Sequence, residues 1–289
     1  MMARRMATKV YRLFRNLGIV GYSSKKNIFG IHPLVISTTY IGLSIGICYL
    51  LRRTVKSWMS DNVFRDILLE FLTTLEMCIS FFELIVVTEN WGIQAYAVFL
   101  FLLVLLWDKT WTDASACPYT AMEEVLEGQR DYSNAALRIF GQIAGGLVTF
   151  SLVQLFWAME LVHTHKGKAF EDCTADLQVP MCMGAFIEAL GTCLCRLIGR
   201  WLSFTENRFT SLINAFCTTI IVVAAFDTTG GYFNPALATS LKLGCEGNTF
   251  MEHFVTYWVG AIIGSVAAHY IFKSQKVQDY LEGLKPKTD

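Results

Sequence analysis

Charged residues are scarce in this chain: Asp, Glu, Lys and Arg make up 17% of its 289 residues, against about 25% in an average soluble domain. The formal net charge is zero, so there is no excess positive charge to neutralise nucleic-acid phosphates, and nucleic acid is not an expected partner. Hydrophobic residues amount to 54%, which excludes a disordered chain. Histidine is limited to five residues, none spaced to serve a nucleophile. We therefore expect neither an enzyme nor a cofactor.

Five stretches of the chain contain no Asp, Glu, Lys or Arg; they cover residues 33–51, 91–107, 139–159, 209–226 and 254–272. Two further apolar stretches, 67–87 and 177–197, contain a few charges. Because a helix rises about 1.5 Å per residue, about 20 apolar residues cross a hydrocarbon core about 30 Å thick. The pattern predicts an all-α membrane protein with six or seven spans in a lipid bilayer, rather than a soluble helical core.

Basic residues divide the loops into two sets. When six core spans are counted from residue 67, fourteen Lys and Arg residues fall on one side, whereas the opposite loops carry only Lys166, Lys168 and Lys242. Basic residues accumulate on the cytoplasmic side of a membrane. Both flanks of the six-span unit are therefore predicted to be cytoplasmic.

The stretch 33–51 precedes this unit and is harder to place. If it crosses the membrane, the basic residues of 1–32 lie outside, against the charge rule; the alternative is a helix in the interface. We expect an extra N-terminal hydrophobic helix that crosses. The basic residues 4–15 fit a membrane-surface helix and a solvated tail equally. The predicted organisation is an N-terminal segment 1–64, a six-span unit 65–273 and a cytoplasmic tail 274–289.

An internal repeat is the strongest signal in the sequence. Three features recur in the same order: Glu70-x-x-x-Thr74 and Glu188-x-x-x-Thr192, then Cys117-Pro118-Tyr119 and Asn234-Pro235-Ala236, then the glycine pairs Gly141/Gly145 and Gly260/Gly264. The proline of each triplet follows its glutamate by 48 and 47 residues respectively. Because each half, about 65–160 and 177–273, holds an odd number of spans, the two halves are predicted to be inverted relative to each other.

Each proline triplet is expected to begin a re-entrant half-helix. Proline is favoured at the first helical position, and Asn234 is a good N-cap. Residues 235–243 can form only about two turns, and 112–126 is the counterpart that enters from the cytoplasmic side. Irregular backbone at membrane depth survives only where protein buries it or a cavity lines it. Two half-helices that meet at the midplane predict a pore or a site between the repeats.

Several glutamates lie inside apolar spans, where a charge costs at least about 2.5 kcal/mol. Glu70 and Glu188 are expected to accept loop N–H groups and anchor the half-helices; the alternative is a lumen-facing or snorkelling side chain of no special role. Glu76 and Glu83 are seven residues apart, hence on one helix face, and are expected to face the pore or partner spans. The glycine pairs predict close helix packing.

In this repeat context, the box Asn234-Pro235-Ala236 resembles that of the aquaporins, and the chain is most similar to their divergent superaquaporin branch. The resemblance covers about 65–272. The first box, Cys117-Pro118-Tyr119, is degenerate as in that branch, and Cys245, nine residues after Ala236, matches its marker cysteine. The resemblance implies a homotetramer, with a pore for water or small neutral solutes in each protomer. It also implies an intracellular membrane, such as the endoplasmic reticulum, with the plasma membrane as an alternative.

The resemblance also identifies departures at the expected pore. The residues expected to line it or set its selectivity are Asn234, Pro235, Ala236, Leu237, Cys117, Pro118, Tyr119 and Gly231. Cys117 replaces a second Asn, Tyr119 replaces Ala, and Leu237 replaces the Arg of the outer constriction. These changes predict a wider, more apolar outer filter and a tighter centre, which suit glycerol or hydrogen peroxide as well as water. The alternative is a non-conducting structural membrane protein of the same fold.

One polar loop could suggest a metal site, since it contains His163, His165, Glu171, Asp172 and Cys173. This spacing fits no standard zinc pattern, so we expect a solvated loop without metal. A disulfide between Cys173 and Cys182 is one option if the loop faces an oxidising compartment.

Overall fold

The computed structural model describes residues 31–205 and 208–284. In chain order the helices are α1 (Pro33–Trp58), α2 (Val63–Thr110), α3 (Pro118–Leu126), α4 (Tyr132–Trp157), α5 (Met181–Thr205), α6 (Thr210–Thr229), α7 (Pro235–Lys242), α8 (Phe250–Lys273, π-helical at Phe254–Val259) and α9 (Gln275–Leu284). The basic residues 4–15 and the tail lysines Lys285 and Lys287 lie outside the described residues.

Six of these helices are long and apolar enough to cross a membrane. Helix α2 contains two core spans, because Gly92 at φ 79° interrupts its 48 residues with a backbone conformation that glycine adopts without steric cost. Helices α3 and α7, of 9 and 8 residues, are too short to cross. The predicted fold is confirmed: six core spans, two half-helices and an extra N-terminal helix. The half-helix predicted over 112–126 begins only at Pro118.

Helix α1 lies alongside the first span of α2. At one end the His32 ring is 5.9 Å from the Trp91 ring, and at the other Arg52 pairs with Glu76 at 2.5 Å. Arg52 lies twenty positions after His32, a distance of about 30 Å along a helix. This equals the thickness of a hydrocarbon core, which favours a crossing helix over an interfacial one. We call the end of the bundle at Arg52 the basic end and the end at Trp91 the far end.

The helices cross at glycine residues in the same way in both halves of the chain. In both, a backbone carbonyl oxygen occupies the space of a glycine's missing side chain, so two helices touch backbone to backbone. The distances from a Cβ built at the glycine to that oxygen are 2.6 Å for Gly141 and Ile67, 2.4 Å for Gly145 and Phe71, 2.6 Å for Gly260 and Ala185, and 2.1 Å for Gly264 and Ala189. The crossing of α2 with α4 therefore recurs as the crossing of α5 with α8, and the predicted close packing is confirmed.

At the far end, Cys173 forms a disulfide with Cys245 across 72 residues, and the pairing of Cys173 with Cys182 that the sequence left open does not form. The N–H of Ala175 donates to the carbonyl oxygen of Glu246 at 2.8 Å, and the N–H of Glu246 donates to the carbonyl oxygen of Cys173 at 2.9 Å. This backbone pairing brings the segment after α7 beside Cys173, whereas Cys182 is exposed on α5. Closeness in sequence does not identify the disulfide partner of Cys173, because the loop that carries Cys173 folds back over α7.

Candidate functional site

The two half-helices begin next to each other at the centre of the bundle. The amide Nδ2 of Asn234, the N-cap of α7, donates to the carbonyl oxygen of Ala116 at 2.9 Å. Ala116 directly precedes Cys117, the N-cap of α3. The prolines that start the two helices, Pro118 and Pro235, are both buried. The half-helices therefore abut through their N-terminal ends.

Each box is preceded by one residue with left-handed backbone. Ala116 has φ 52° and Phe233 has φ 45°, a conformation that costs a non-glycine residue about 1–3 kcal/mol. Both N–H groups donate to a buried carboxylate: Ala116 N lies 3.0 Å from Glu70 Oε2, and Phe233 N lies 2.7 Å from Glu188 Oε2. Charge-assisted hydrogen bonds are the strong ones, so each glutamate offsets the strain of its own turn.

Glu70 is fully buried and joins three helices. It also accepts the N–H of Ser115 at 3.2 Å, the guanidinium of Arg138 at 2.6 Å and the amide of Gln142 at 2.9 Å. Arg138 in turn pairs with Glu124 of α3. The first half-helix is thus held between α2 and α4 by the buried carboxylate of Glu70, whose charge Arg138 balances. Neither Arg138 nor Gln142 was singled out from the sequence, although an arginine directly before a charge-free stretch is a usable signal.

Glu188 is also fully buried but has neutral partners. Besides Phe233 N, it accepts the Thr229 hydroxyl at 2.6 Å and the N–H of Tyr232 at 3.3 Å. The hydroxyl of Tyr257 donates to the Thr229 carbonyl oxygen at 2.9 Å. The two anchors therefore share geometry and differ in charge compensation.

The first box packs into a small buried cluster. Cys117 and Tyr119 lie against Ala261 of α8, and the guanidinium of Arg196 lies 5.7 Å from the centre of the Tyr119 ring. A thiol is a weak donor, so Cys117 supplies only a weak hydrogen-bond donor at this half of the centre.

The second box offers one strong donor at the centre. One N–H of the Asn234 amide is held by Ala116, and the amide nitrogen also lies 3.6 Å from the sulfur of Met77. A thioether is a weak acceptor, so the sulfur of Met77 satisfies this second N–H only weakly. Met77 was not identified from the sequence, where nothing distinguishes it from other apolar residues of its span.

A cavity of about 230 Å³ opens at the far end, beside α7. Its apolar lining consists of Phe81, Ile85, Tyr96, Phe226 and Leu241, with the Tyr232 side chain, and its polar rim includes Glu89, Asp176 and Lys242. Leu237 is 2% exposed in the main apolar core. Gly231 is buried where a Cβ would lie 2.5 Å from the Val222 carbonyl oxygen. Neither belongs to the lining of this cavity, and the pore roles expected for them stay predictions.

Glu123 ties α3 to the second repeat at the basic end. This carboxylate is 3% exposed. It pairs with Arg196 and with Arg200 of α5 and accepts the hydroxyl of Ser265 of α8 at 2.5 Å. Arginines that indicated orientation from the sequence therefore also fix the first half-helix.

The other two glutamates of the first span point to partner elements. Glu76 pairs with Arg52 of α1. Glu83 accepts the indole N–H of Trp157 at 2.9 Å, and its other oxygen lies 2.9 Å from Nε2 of His165. The loop that carries this histidine was expected to be solvated, but His165 is fully buried. The loop is docked on the first core span because the His165 ring reaches Glu83.

Comparison with known proteins agrees with this architecture. No family model matches the chain. It is 31% identical to aquaporin-11 of Milnesium tardigradum over 82% of this chain and 87% of that protein, and 25% identical to aquaporin-12 of Mus musculus over 81% and 84%. The X-ray structure of the aquaglyceroporin from Plasmodium falciparum shares the fold, with a TM-score of 0.56 and 14% identity over 76% of this chain and 99% of that one. The chain belongs to the aquaporin family.

Proposed function

We propose that this protein is a passive membrane channel for water and for small neutral solutes such as glycerol and hydrogen peroxide. The observation that carries the proposal is the contact between the half-helices at Asn234 and Ala116, in the middle of a seven-span bundle. Each helix N-terminus carries about half a positive charge. Two such ends directed at one point disfavour cations and protons, while the Asn234 amide donates to a permeating oxygen.

The residues around this path favour solutes that are partly apolar. The position after the second box is Leu237 rather than a cation, and the far-end cavity has an aromatic wall that includes Tyr96 and Phe226. One amide, that of Asn234, serves the centre, since Cys117 takes the other position. Glycerol and hydrogen peroxide supply their own hydroxyl groups and need no guanidinium donor, so we expect them to pass beside water.

We also propose a homotetramer in an intracellular membrane, in particular the endoplasmic reticulum. The support for both is the family resemblance; the exposed apolar side chains on the spans fit lipid and neighbouring protomers equally. Native mass spectrometry of the detergent-solubilised protein tests the assembly, and fractionation of cells tests the compartment.

Flux into liposomes tests the channel. Purified protein should accelerate the entry of water, glycerol and hydrogen peroxide above that of empty vesicles. Cys117→Asn adds a second central donor and should raise water flux relative to glycerol flux, while the exposed Cys182→Ser serves as the matched control. If no solute enters faster than into empty vesicles, the channel proposal fails and a non-conducting structural protein of this fold remains.

A further inference from the structure

Helix α1 stands outside the repeat, yet one of its cations, Arg52, reaches into the core. Arg52 is 4% exposed and pairs at 2.5 Å with Glu76, which is fully buried. The other oxygen of Glu76 accepts the indole N–H of Trp111 at 3.2 Å. Trp111 is the first residue after α2. One buried carboxylate therefore joins α1 to the segment that leads towards α3.

Lys56 holds the next residues of that segment. Its ammonium donates to the Thr112 hydroxyl at 2.8 Å and forms an ion pair with Asp113. The hydrogen bond from Lys56 lowers the pKa of Asp113, as expected for a carboxylate held in its charged form. We call residues 111–114 the connector. Arg52, Lys56 and the connector line one narrow crevice at the basic end.

The connector ends directly at the centre of the site. Ser115 and Ala116 follow it, and their N–H groups donate to Glu70. The carbonyl oxygen of Ala116 accepts the Asn234 amide. Only a few residues therefore separate the cations of α1 from the strained turn that meets the second half-helix.

We propose that α1 is a positioning element of the pore: Arg52 and Lys56 clamp the connector and keep Ala116 at the meeting point of the half-helices. The left-handed backbone of the buried Ala116 needs such support, because local strain persists only where the surroundings over-determine it. Glu70 holds the turn from the core side, and α1 holds it from the outer side. The inference rests on the proposed channel function only for its effect on flux.

A charge exchange at Lys56 and Asp113 tests the clamp in the full chain. The two side chains are 35% and 47% exposed, so single reversals are compatible with folding. Hydrogen–deuterium exchange of the peptide covering the connector and Ala116 should be at least several-fold faster in Lys56→Glu and in Asp113→Lys. The double variant Lys56→Glu/Asp113→Lys restores the pair and should return exchange towards wild type. Lys109→Glu reverses an exposed charge at the same end and serves as the matched control.

Flux in liposomes is the second measurement. Each single reversal should lower water flux several-fold, and the double variant should recover it, a rescue that a purely lipid-anchoring helix would not show. Equal exchange in wild type and both single variants would overturn the clamp, whatever the flux. If the wild type does not conduct but exchange follows the charge pattern, the clamp stands and the channel proposal alone fails.

Discussion

Replacement of Gly264 by alanine tests the helix crossing that the second repeat shares with the first. A Cβ at Gly264 would lie 2.1 Å from the carbonyl oxygen of Ala189, and real Cβ atoms essentially never approach closer than 3.0 Å. The atoms that the new methyl group would meet belong to the backbone of Ala189, so no side chain can rotate to make room. Helices α5 and α8 therefore have to separate by about 1 Å to admit a single methyl group.

The expected cost follows from overpacking, which destabilises by about 1–3 kcal/mol. Alanine in place of a helical glycine stabilises the folded protein by about 0.5–1 kcal/mol, because alanine loses less backbone entropy on folding. Gly46→Ala on α1 carries the same backbone gain without the overlap, because nothing lies within 4 Å of the new Cβ. The difference between the two variants isolates the steric cost, and we expect Gly264→Ala to be less stable than Gly46→Ala by about 1–3 kcal/mol.

Thermal unfolding in detergent, followed by tryptophan fluorescence, measures this difference. Flux in liposomes should fall as well, because Glu188 on α5 anchors the turn before α7 and moves with its helix. Gly145→Ala, at 2.4 Å from Phe71 O, should behave in the same way in the first repeat. If the Gly264→Ala and Gly46→Ala variants melt at the same temperature, the helices do not touch backbone to backbone, and the packing described for both repeats is wrong.

Three further predictions concern individual contacts. Cys245→Ser should lower thermal stability by about 2–4 kcal/mol and Cys182→Ser should not; equal melting would contradict the disulfide pairing. Met77→Leu removes the sulfur beside the Asn234 amide and should raise water flux in liposomes, whereas unchanged flux would show that the thioether does not compete. The lowered pKa of Asp113 means that its contribution is present above the ordinary value of 3.8 and lost as pH falls through the lowered pKa. The small difference in melting between wild type and Asp113→Asn, below about 1 kcal/mol, should therefore hold at neutral pH and vanish in strong acid.

The spans, the inverted repeat and the presence of two half-helices were predictable because each has a local signature, although the first half-helix begins at Pro118 and not at residue 112. A membrane span needs about 20 apolar residues, and a half-helix needs a cap and a proline at its start. The recurrence of glutamate, proline box and glycine pair then related the halves without any knowledge of contacts. These features are dictated by neighbours in sequence or by a repeat, which a single chain displays.

The remaining features depend on contacts between distant residues, which carry no periodic signal. The partner of Cys173 could not be deduced, because cysteine spacing alone does not fix connectivity. The left-handed backbone of Ala116 and Phe233 was hidden, since neither residue type favours that conformation. The clamp by Arg52 was hidden as well, because an arginine near the end of an apolar stretch reads first as a loop charge that sets orientation.

The two half-helices are secured by different chemistry, and the difference bears on orientation. Ion pairs hold α3, through Glu70 and Glu123, and an ion pair between Lys242 and Asp176 holds α7. Of the two half-helices that the structure describes, only the second also has a disulfide, at Cys245, which joins it to the loop at the far end. A lasting disulfide requires an oxidising compartment, so we expect the far end to face a lumen or the exterior. The charge rule independently assigns the basic end to the cytoplasm. With this orientation, the half-helix that carries the disulfide enters from the oxidising side, and the half-helix that enters from the reducing side depends on ion pairs, which reducing conditions do not break.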